Sequence, residues 1–348
     1  MPTRIRLKMH DFPPVQCEQD LLGKACSGDE RAFGCLIYLH RRQIFGHCYR
    51  MLGSPHDADD ALQETLLAAW RGLATYDGRG SFAAWLYRIG TNVCLRLISK
   101  RPKRLLSSDH GPAIQSTSDL GTLVPGRVWV EPCPDQDLSD EGDPFHHLAR
   151  RETVSLAFVA ALQHLPGTQR AVLLLRDVLE FSAAETAGLL DLSVPAVTSA
   201  LQRARATLRQ RRPPDPSREE PLLTSADRQG ELLNAFVSAW ERRDVGALVS
   251  LLAEDVRFTM PPLPAWFDGR AQVALFFRER VFATDWRLQP LRANGQAGFA
   301  CYLRPDGAHR YQMAAILLTE FHGDRIVHLQ SFLDPSLHRR FGLPEENL

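Results

Sequence analysis

Apolar residues recur at helical spacing through the first two-thirds of the chain and change to strand-like runs in the last third. Residues 18–105 predict nearly continuous helix. Asp29-Glu30-Arg31-Ala32-Phe33 opens an amphipathic helix towards Leu39, and the pattern continues from Ile44 to Leu52 until Gly53-Ser54-Pro55 breaks it. The next helix starts near Asp57, its N-terminal turn crowded with acids where the dipole favours them, and runs to Leu73 with Leu62, Leu66 and Ala69 on one face. After the loop Asp77-Gly78-Arg79-Gly80-Ser81, a helix from Phe82 to Ser99 ends in the basic cluster Lys100-Arg101-Pro102-Lys103-Arg104.

Residues 106–150 are rich in Ser, Pro, Gly and Asp and poor in core-forming side chains, which predicts a mobile connector. Helical pattern returns over 151–212, first as a helix ending at Leu165-Pro166-Gly167. Then FSAAETAGLLDLSVPAVTSALQRARATLR, residues 181–209, has the grammar of two short helices joined by a tight turn. Ser182 and Glu185 form a capping box for the first helix; Ser193 caps the second and Pro195 sits in its first turn. Val197, Leu201 and Leu208 face inward, while Thr198, Ser199, Gln202, Arg203 and Arg205 project outward. Pro213-Pro214-Asp215-Pro216 closes the module, and 213–226 forms a second linker.

From Asp227 the predicted elements are two helices (228–242 and 245–252), a strand Val256–Met260, a Pro-rich loop, a helix near 270–281 and further strands. Among these are 308–320 and 325–333, separated by the turn His322-Gly323-Asp324. This predicts an α+β domain over 227–348 with its own aromatic core.

Charge changes the picture more than composition does. The 348 residues sum to zero net charge, yet residues 20–105 carry 13 basic and 8 acidic residues and 151–212 carry 8 and 5, whereas 106–150 carries 2 and 8. Two basic modules therefore flank an acidic tether. Residues 196–212 hold five Arg and no acid, which suits a phosphate backbone better than a solvated face. The seven Cys and twelve His show no ligand spacing, so neither metal nor cofactor is expected. No apolar run reaches membrane-span length and no secretory leader follows the N-terminus, so a cytoplasmic protein is expected.

Two features of the first module bear on chemistry. Asp60, Gln63 and Glu64 share an exposed stripe that by itself reads equally as solvated surface, and segment 77–104 joins a Gly-flanked loop and the aromatics Phe82, Trp85 and Tyr87 to a basic tail, a combination suited to unpaired bases, with core packing the alternative for Phe82 and Trp85. QETLLAAW, GRGSFAAWLYRIGTNVCL and LPGTQRAVLLLRDVLEFSAAETAGLL…SALQRARATL resemble regions 2 and 4 of bacterial sigma-70-type factors of the extracytoplasmic-function (ECF) group. The resemblance spans 18–105 and 151–212, in that order. It implies promoter-specific transcription initiation with core RNA polymerase and promoter DNA as partners, the β′ clamp helices and β flap being the polymerase contacts. Asp57, Asp60, Gln63 and Glu64 would dock on the clamp helices. Arg79, Ser81, Phe82, Trp85, Arg88, Asn92, Lys100 and Arg101 would hold and melt the −10 element. The helix from Ser193, with Ala196, Thr198, Ser199, Gln202, Arg203 and Arg205, would read the −35 element. The acidic connector would thread the polymerase's positively charged RNA channel.

Residues 227–348, through FVSAWERRDVGALVSLLAEDVRFTMPP and the terminal Phe332-Leu333-Asp334-Pro335, resemble SnoaL-like domains of the NTF2-like superfamily. This implies a cone-shaped α+β fold acting in cis as a regulator. The expected fold is thus multidomain: two all-α helical domains and a C-terminal NTF2-like cone. Met260, Trp266, Tyr302, Tyr311, His328 and Asp334 are the candidate pocket, for an unidentified small apolar ligand. Asp334 has an ordinary alternative as a cap and His328 as a wall residue, so no enzyme activity is expected. A stand-alone helix-turn-helix regulator, or a fusion with a catalytic domain, remains the alternative.

Overall fold

The computed structural model describes residues 18–76, 78, 80–126, 128–138, 155–211 and 226–347. The connector's end, 139–150, and the linker 213–225 lie outside the described residues.

Four helices form the first module: α1 Glu18–Cys26, α2 Glu30–Leu52, α3 Pro55–Gly72 and α4 Phe82–Lys100. Asp29 caps α2 by accepting from the Arg31 and Ala32 N–H groups, and Ser54 and Ser81 cap α3 and α4. α2 buries Leu36, Ile44, Cys48 and Met51 against Ala58, Ala61, Leu62 and Ala69 of α3 and Leu86 and Cys94 of α4. The small residues on α3 let the helices approach closely. Gly53 ends α2 at φ 72°, and a Cβ there would stand 2.9 Å from Cδ of Gln163, so glycine serves both the left-handed backbone and the close approach of the next module.

That module contains α5 Leu156–Gln163, α6 Gly167–Leu173, a π-turn Leu174–Val178, α7 Ala183–Leu190 and α8 Val194–Arg211. The capping box forms as expected: the Ser182 N–H donates to Glu185 at 2.7 Å and the Glu185 N–H donates to Ser182 at 3.1 Å. Asp191, at φ 54°, makes the turn between α7 and α8. The two helical modules share one core. Arg170 is buried between them, donating to the carbonyls of Met51, Gln163 and Leu165. Burial pushes its pKa down to about 10.

The third domain comprises α9 Ala226–Glu241, α10 Val245–Leu251, β1 Leu252–Thr259, β2 Trp266–Asp268, α11 Arg270–Glu279, β3 Asp285–Ala293, β4 Gln296–Arg304, β5 Tyr311–His322, β6 Arg325–Phe332, α12 Pro335–Arg340 and β7 Glu346–Asn347. The sheet order is β2-β1-β6-β5-β4-β3, with β7 added to β5; β1 and β6 run parallel and the other pairs antiparallel. Strand alternation gives the sheet two apolar faces. On one, Phe258, Phe267, Phe299, Leu317 and Leu329 pack with Phe236, Trp240, Phe276 and Phe277 from the helices. On the other, Ala293, Ile316, Leu318 and Phe332 join the core of the helical modules.

The connector is where sequence expectation and structure part. Residues 106–138 are held on both sides instead of hanging free. Val128, Val130 and Glu131 hydrogen-bond to backbone groups of Leu105 and Gly53 in the first module, and Ile114 and Val124 to Trp266 and Pro262 in the third domain. Its few apolar residues are spaced to serve two neighbours, a pattern that local composition does not reveal.

Candidate polymerase and nucleic-acid interfaces

Asp57 lies in the first turn of α3, whose cap holds it against the end of α4. It is 2% exposed and pairs with Arg101 at 2.5 Å and Arg104 at 2.6 Å. Its enclosed carboxylate has no surface for docking, so the clamp-binding role expected for Asp57 is replaced by a structural one. Asp60 and Gln63 are exposed on the same helix. Glu64 is half-buried and paired with Arg96. Leu67, one turn further on, is 57% exposed and extends the stripe with an apolar end; its place beside Gln63 and Glu64 at helical spacing was the available signal.

The −10 candidates divide. Ser81 caps α4. Phe82 is 3% exposed, packed among His40, Tyr76 and Trp85 with ring centroids 5.6–6.0 Å apart, so it stabilises the module and offers no face to a base. Trp85 is half-buried beside it, while Arg88, Asn92 and Lys100 are exposed. Arg101 is drawn down by Asp57 and approaches Asp60 at 3.9 Å. Arg79 lies outside the described residues.

On α8, Thr198, Ser199, Gln202 and Arg203 are exposed along the outer face, Ala196 is half-buried, and Val197, Ala200, Leu201 and Ala204 are buried. The Ser193 hydroxyl accepts from the Ala196 N–H at 3.3 Å and so is engaged as a cap. Arg205 makes a two-pronged contact with Asp177, at 2.7 and 3.0 Å. Beside it lies an open hollow of about 290 Å³ lined by Phe158, Leu173, Val178, Leu208 and Arg209.

The two candidate DNA-binding surfaces meet each other. Arg88 on α4 binds both carboxylate oxygens of Asp191, at 3.0 and 3.2 Å, in the turn that introduces α8. Tyr87 and Phe181 pack edge to face at 5.8 Å beside this pair.

The candidate pocket residues do not line one cavity. Met260 points into the aromatic core, whereas the partners of Trp266 (Thr259) and His328 (Arg257) lie on the opposite face of β1 by alternation. His328 contacts Gln330 at 3.0 Å and Glu320 at 3.7 Å. Tyr302 is fully buried on β4, and burial raises its pKa. Tyr311 lies under Arg287 and Arg304 at 4.7 and 5.3 Å. Asp334 caps α12 by accepting from the Ser336 N–H at 2.8 Å. Among the described residues, no His, Cys, Asp or Glu group suited to a metal ion occurs.

One junction escaped the sequence reading. Asn294, at the β3–β4 turn with φ 55°, is fully buried between the first module and the connector. Its Nδ2 donates to Tyr49 Oη at 2.9 Å, its Oδ1 accepts from the Cys133 N–H at 2.8 Å, and its own N–H donates to the Cys133 carbonyl at 3.0 Å. Around it Asp135 binds the Gly295 N–H at 2.7 Å and Arg292 at 3.2 Å. Arg340 binds Asp59 at 2.5 Å and Asp137 at 2.8 Å. Asn294-Gly295 between apolar runs was a legible hairpin signal; its burial was not.

An acid–polar helix stripe, a basic helix beside an aromatic loop, and a capped helix-turn-helix define a bipartite, sigma-70-type transcription protein with an appended α+β domain. The comparisons agree. Residues 36–104 match Sigma-70 region 2, 155–208 match Sigma-70 region 4, and 233–329 match the SnoaL-like domain. The chain is 41% identical to the ECF RNA polymerase sigma factor SigG of Mycobacterium tuberculosis across 99% of this chain and 93% of that one. It is 34% identical to the RNA polymerase sigma factor CnrH of Cupriavidus metallidurans across 56% of this chain and 94% of that one. The crystal structure of the M. tuberculosis extracytoplasmic function sigma factor SigJ shares the fold, with TM-score 0.57 and 21% identity over 88% of this chain and 97% of that one. The chain belongs to the ECF RNA polymerase sigma factors.

Proposed function

We propose that this sigma factor directs core RNA polymerase to promoters through Asp60, Gln63 and Leu67 on α3, the exposed face of α4 and the outer face of α8, and that its C-terminal domain restrains that activity in cis. The observation carrying the restraint is the Arg88–Asp191 contact at 3.0 Å. The −35 and −10 elements are separated by about 25 base pairs, roughly 85 Å along B-form DNA. Surfaces that touch each other must part by tens of ångströms before both engage one promoter.

The connector and the β3–β4 hairpin favour the closed arrangement because they bind both helical modules: besides their contacts with Gly53 and Tyr49 of the first, Asp109 lies 3.4 Å from His164 and Gln296 accepts from the Leu156 N–H at 3.4 Å in the second. The connector's Glu131, Asp135 and Asp137 are paired with Arg104, Arg292 and Arg340. An acidic strand entering a positively charged polymerase channel must first give up these partners. The third domain supports a binding and not a catalytic role, since Asp334 is engaged as a cap and His328 faces away from the aromatic core. No helix among the described residues is long and apolar enough to cross a membrane, and transcription places the chain in the cytoplasm. Run-off transcription with core polymerase tests the reading. Full-length chain and chain ending at residue 212 should differ in promoter-specific transcript; equal yields reject cis control, and no transcript from either rejects promoter recognition.

A further inference from the structure

The connector's first half lies against the third domain as a bound peptide would. The Ile114 N–H donates to the Trp266 carbonyl at 2.9 Å, on the open side of edge strand β2. The Trp266 indole N–H returns a bond to the Gly111 carbonyl at 2.9 Å. Further along, the Val124 N–H donates to the Pro262 carbonyl at 2.9 Å. Thr117, 6% exposed, donates its hydroxyl to Glu279 at the end of α11. Ile114 and Leu120 pack against the aromatic core of the domain, together with Leu263 and Leu333. Gly121, at φ 75°, lets the chain turn over Pro264: a Cβ there would meet Pro264 Cγ at 3.3 Å.

We propose that the edge of β2, the Pro261–Pro264 loop and the end of α11 form a groove for an extended, apolar-anchored peptide, and that its occupant is residues 111–124 of the same chain. The pattern is that of strand-edge recognition: main-chain bonds hold the segment and spaced side-chain anchors select it. It also answers the need to cover an edge strand, whose unpaired carbonyls otherwise recruit foreign strands. Two anchors six residues apart, Ile114 and Leu120, with a polar stretch between them, explain why the segment looks like a linker by composition. The third domain then does more than touch the helical modules through Asn294. It grips the tether between them. This rests on the proposed cis restraint, in which release of the connector accompanies opening.

The test uses the full chain carrying Ile114→Asp and Leu120→Asp, which leaves the groove residues intact and empties it. A fluorescent peptide of sequence 111–124 should bind this variant at least about tenfold more tightly than it binds the wild-type chain, whose groove is filled, the equivalent of about 1.4 kcal/mol. A peptide carrying the same two Asp substitutions should not bind. Equal binding to both chains, or binding to neither while circular dichroism shows the variant folded, overturns the groove. Competition of the peptide by a small apolar molecule but not by unlabelled 111–124 also overturns it. Transcription by the same variant reads the other proposal separately. Peptide binding with transcription unchanged upholds the groove and overturns the cis restraint; peptide binding with raised transcription upholds both.

Discussion

Replacing Asn294 by Gly isolates what the buried amide does at the junction. Glycine keeps the left-handed backbone at φ 55° without strain, so only the side chain is lost. Two bonds go with it: the Cys133 N–H loses its 2.8 Å acceptor and Tyr49 Oη loses its 2.9 Å donor. Tyr49 keeps the Glu131 carbonyl as an acceptor at 2.8 Å, so its loss is small. The Cys133 N–H is left without its acceptor in a buried site, at about 1–3 kcal/mol. Taking about 2 kcal/mol, local opening at Cys133 should become roughly 30 times more frequent. Amide hydrogen exchange of the full chain reads this directly, with peptides spanning 128–138 compared against peptides from α6, which does not touch Asn294. Promoter-specific transcription should rise with the exchange if the junction restrains the chain. Unchanged exchange at 128–138 would refute the claim that Asn294 holds the connector; faster exchange with unchanged transcription would refute the claim that holding it matters.

Other consequences follow from the same contacts. Asp57→Asn removes the charge that Arg101 and Arg104 share in a buried site, and should cost about 3 kcal/mol in chemical denaturation, while Asp60→Ala with Gln63→Ala should leave stability within about 0.5 kcal/mol and weaken binding to core polymerase. Arg203→Ala should reduce the salt slope of −35 duplex binding by about one unit, whereas Arg205→Ala, whose guanidinium is engaged by Asp177, should reduce it less. His47 is buried against Thr91 at 2.8 Å, and burial, aided by Arg50, lowers its pKa to about 3. Because the folded value lies below the unfolded one, its contribution is complete above pH 6.5 and is lost as pH falls. Denaturation midpoints should show a loss of about 2 kcal/mol between pH 7 and 5 that His47→Asn removes.

Legibility followed the range of the interaction. Capping is local, so Ser182-Glu185, Ser193 and Pro195 announce their helices within four residues, and the structure places each as expected. Helical periodicity likewise gave α3, α4 and α8 and the buried faces of α3 and α8. Side-chain roles were less legible because exposure is set by distant partners. Asp57 and Asp60 differ by three positions in a helix, yet the first is enclosed because α4 returns Arg101 and Arg104 to it. Phe82 carried the residue type of a stacking platform and became core because Tyr76 and His40 close over it. The connector was least legible of all. Its contacts join residues far apart in sequence, such as Thr117 with Glu279 and Cys133 with Asn294, and no local pattern encodes them. The six candidate pocket residues do not share a strand face: Met260 lies in the aromatic core, and the β1 partners of Trp266 and His328 lie on the other side of the strand.

The closed arrangement has to be firm enough to persist and cheap enough to open, and the chemistry of its contacts allows both. A purely apolar junction would resist separation in proportion to its buried area, at about 25 cal/mol per Å². These modules share an apolar core, but the contacts around it are polar: backbone bonds along the connector, the Asn294 amide, and ion pairs such as Arg88–Asp191 whose side chains are 46% and 72% exposed. Such groups exchange protein partners for water at small net cost. Arg170 shows the principle inside the core. It takes acceptors from both helical modules, so parting them costs it the Met51 carbonyl and gives it water, which relieves the desolvation that lowers its pKa. The strap of residues 111–124, with its two apolar anchors, packs on the third domain and not on the helical core. Opening can therefore proceed in two stages, the polar junction first and the strap second. If polymerase competes for the connector's acids as proposed, it acts on the first.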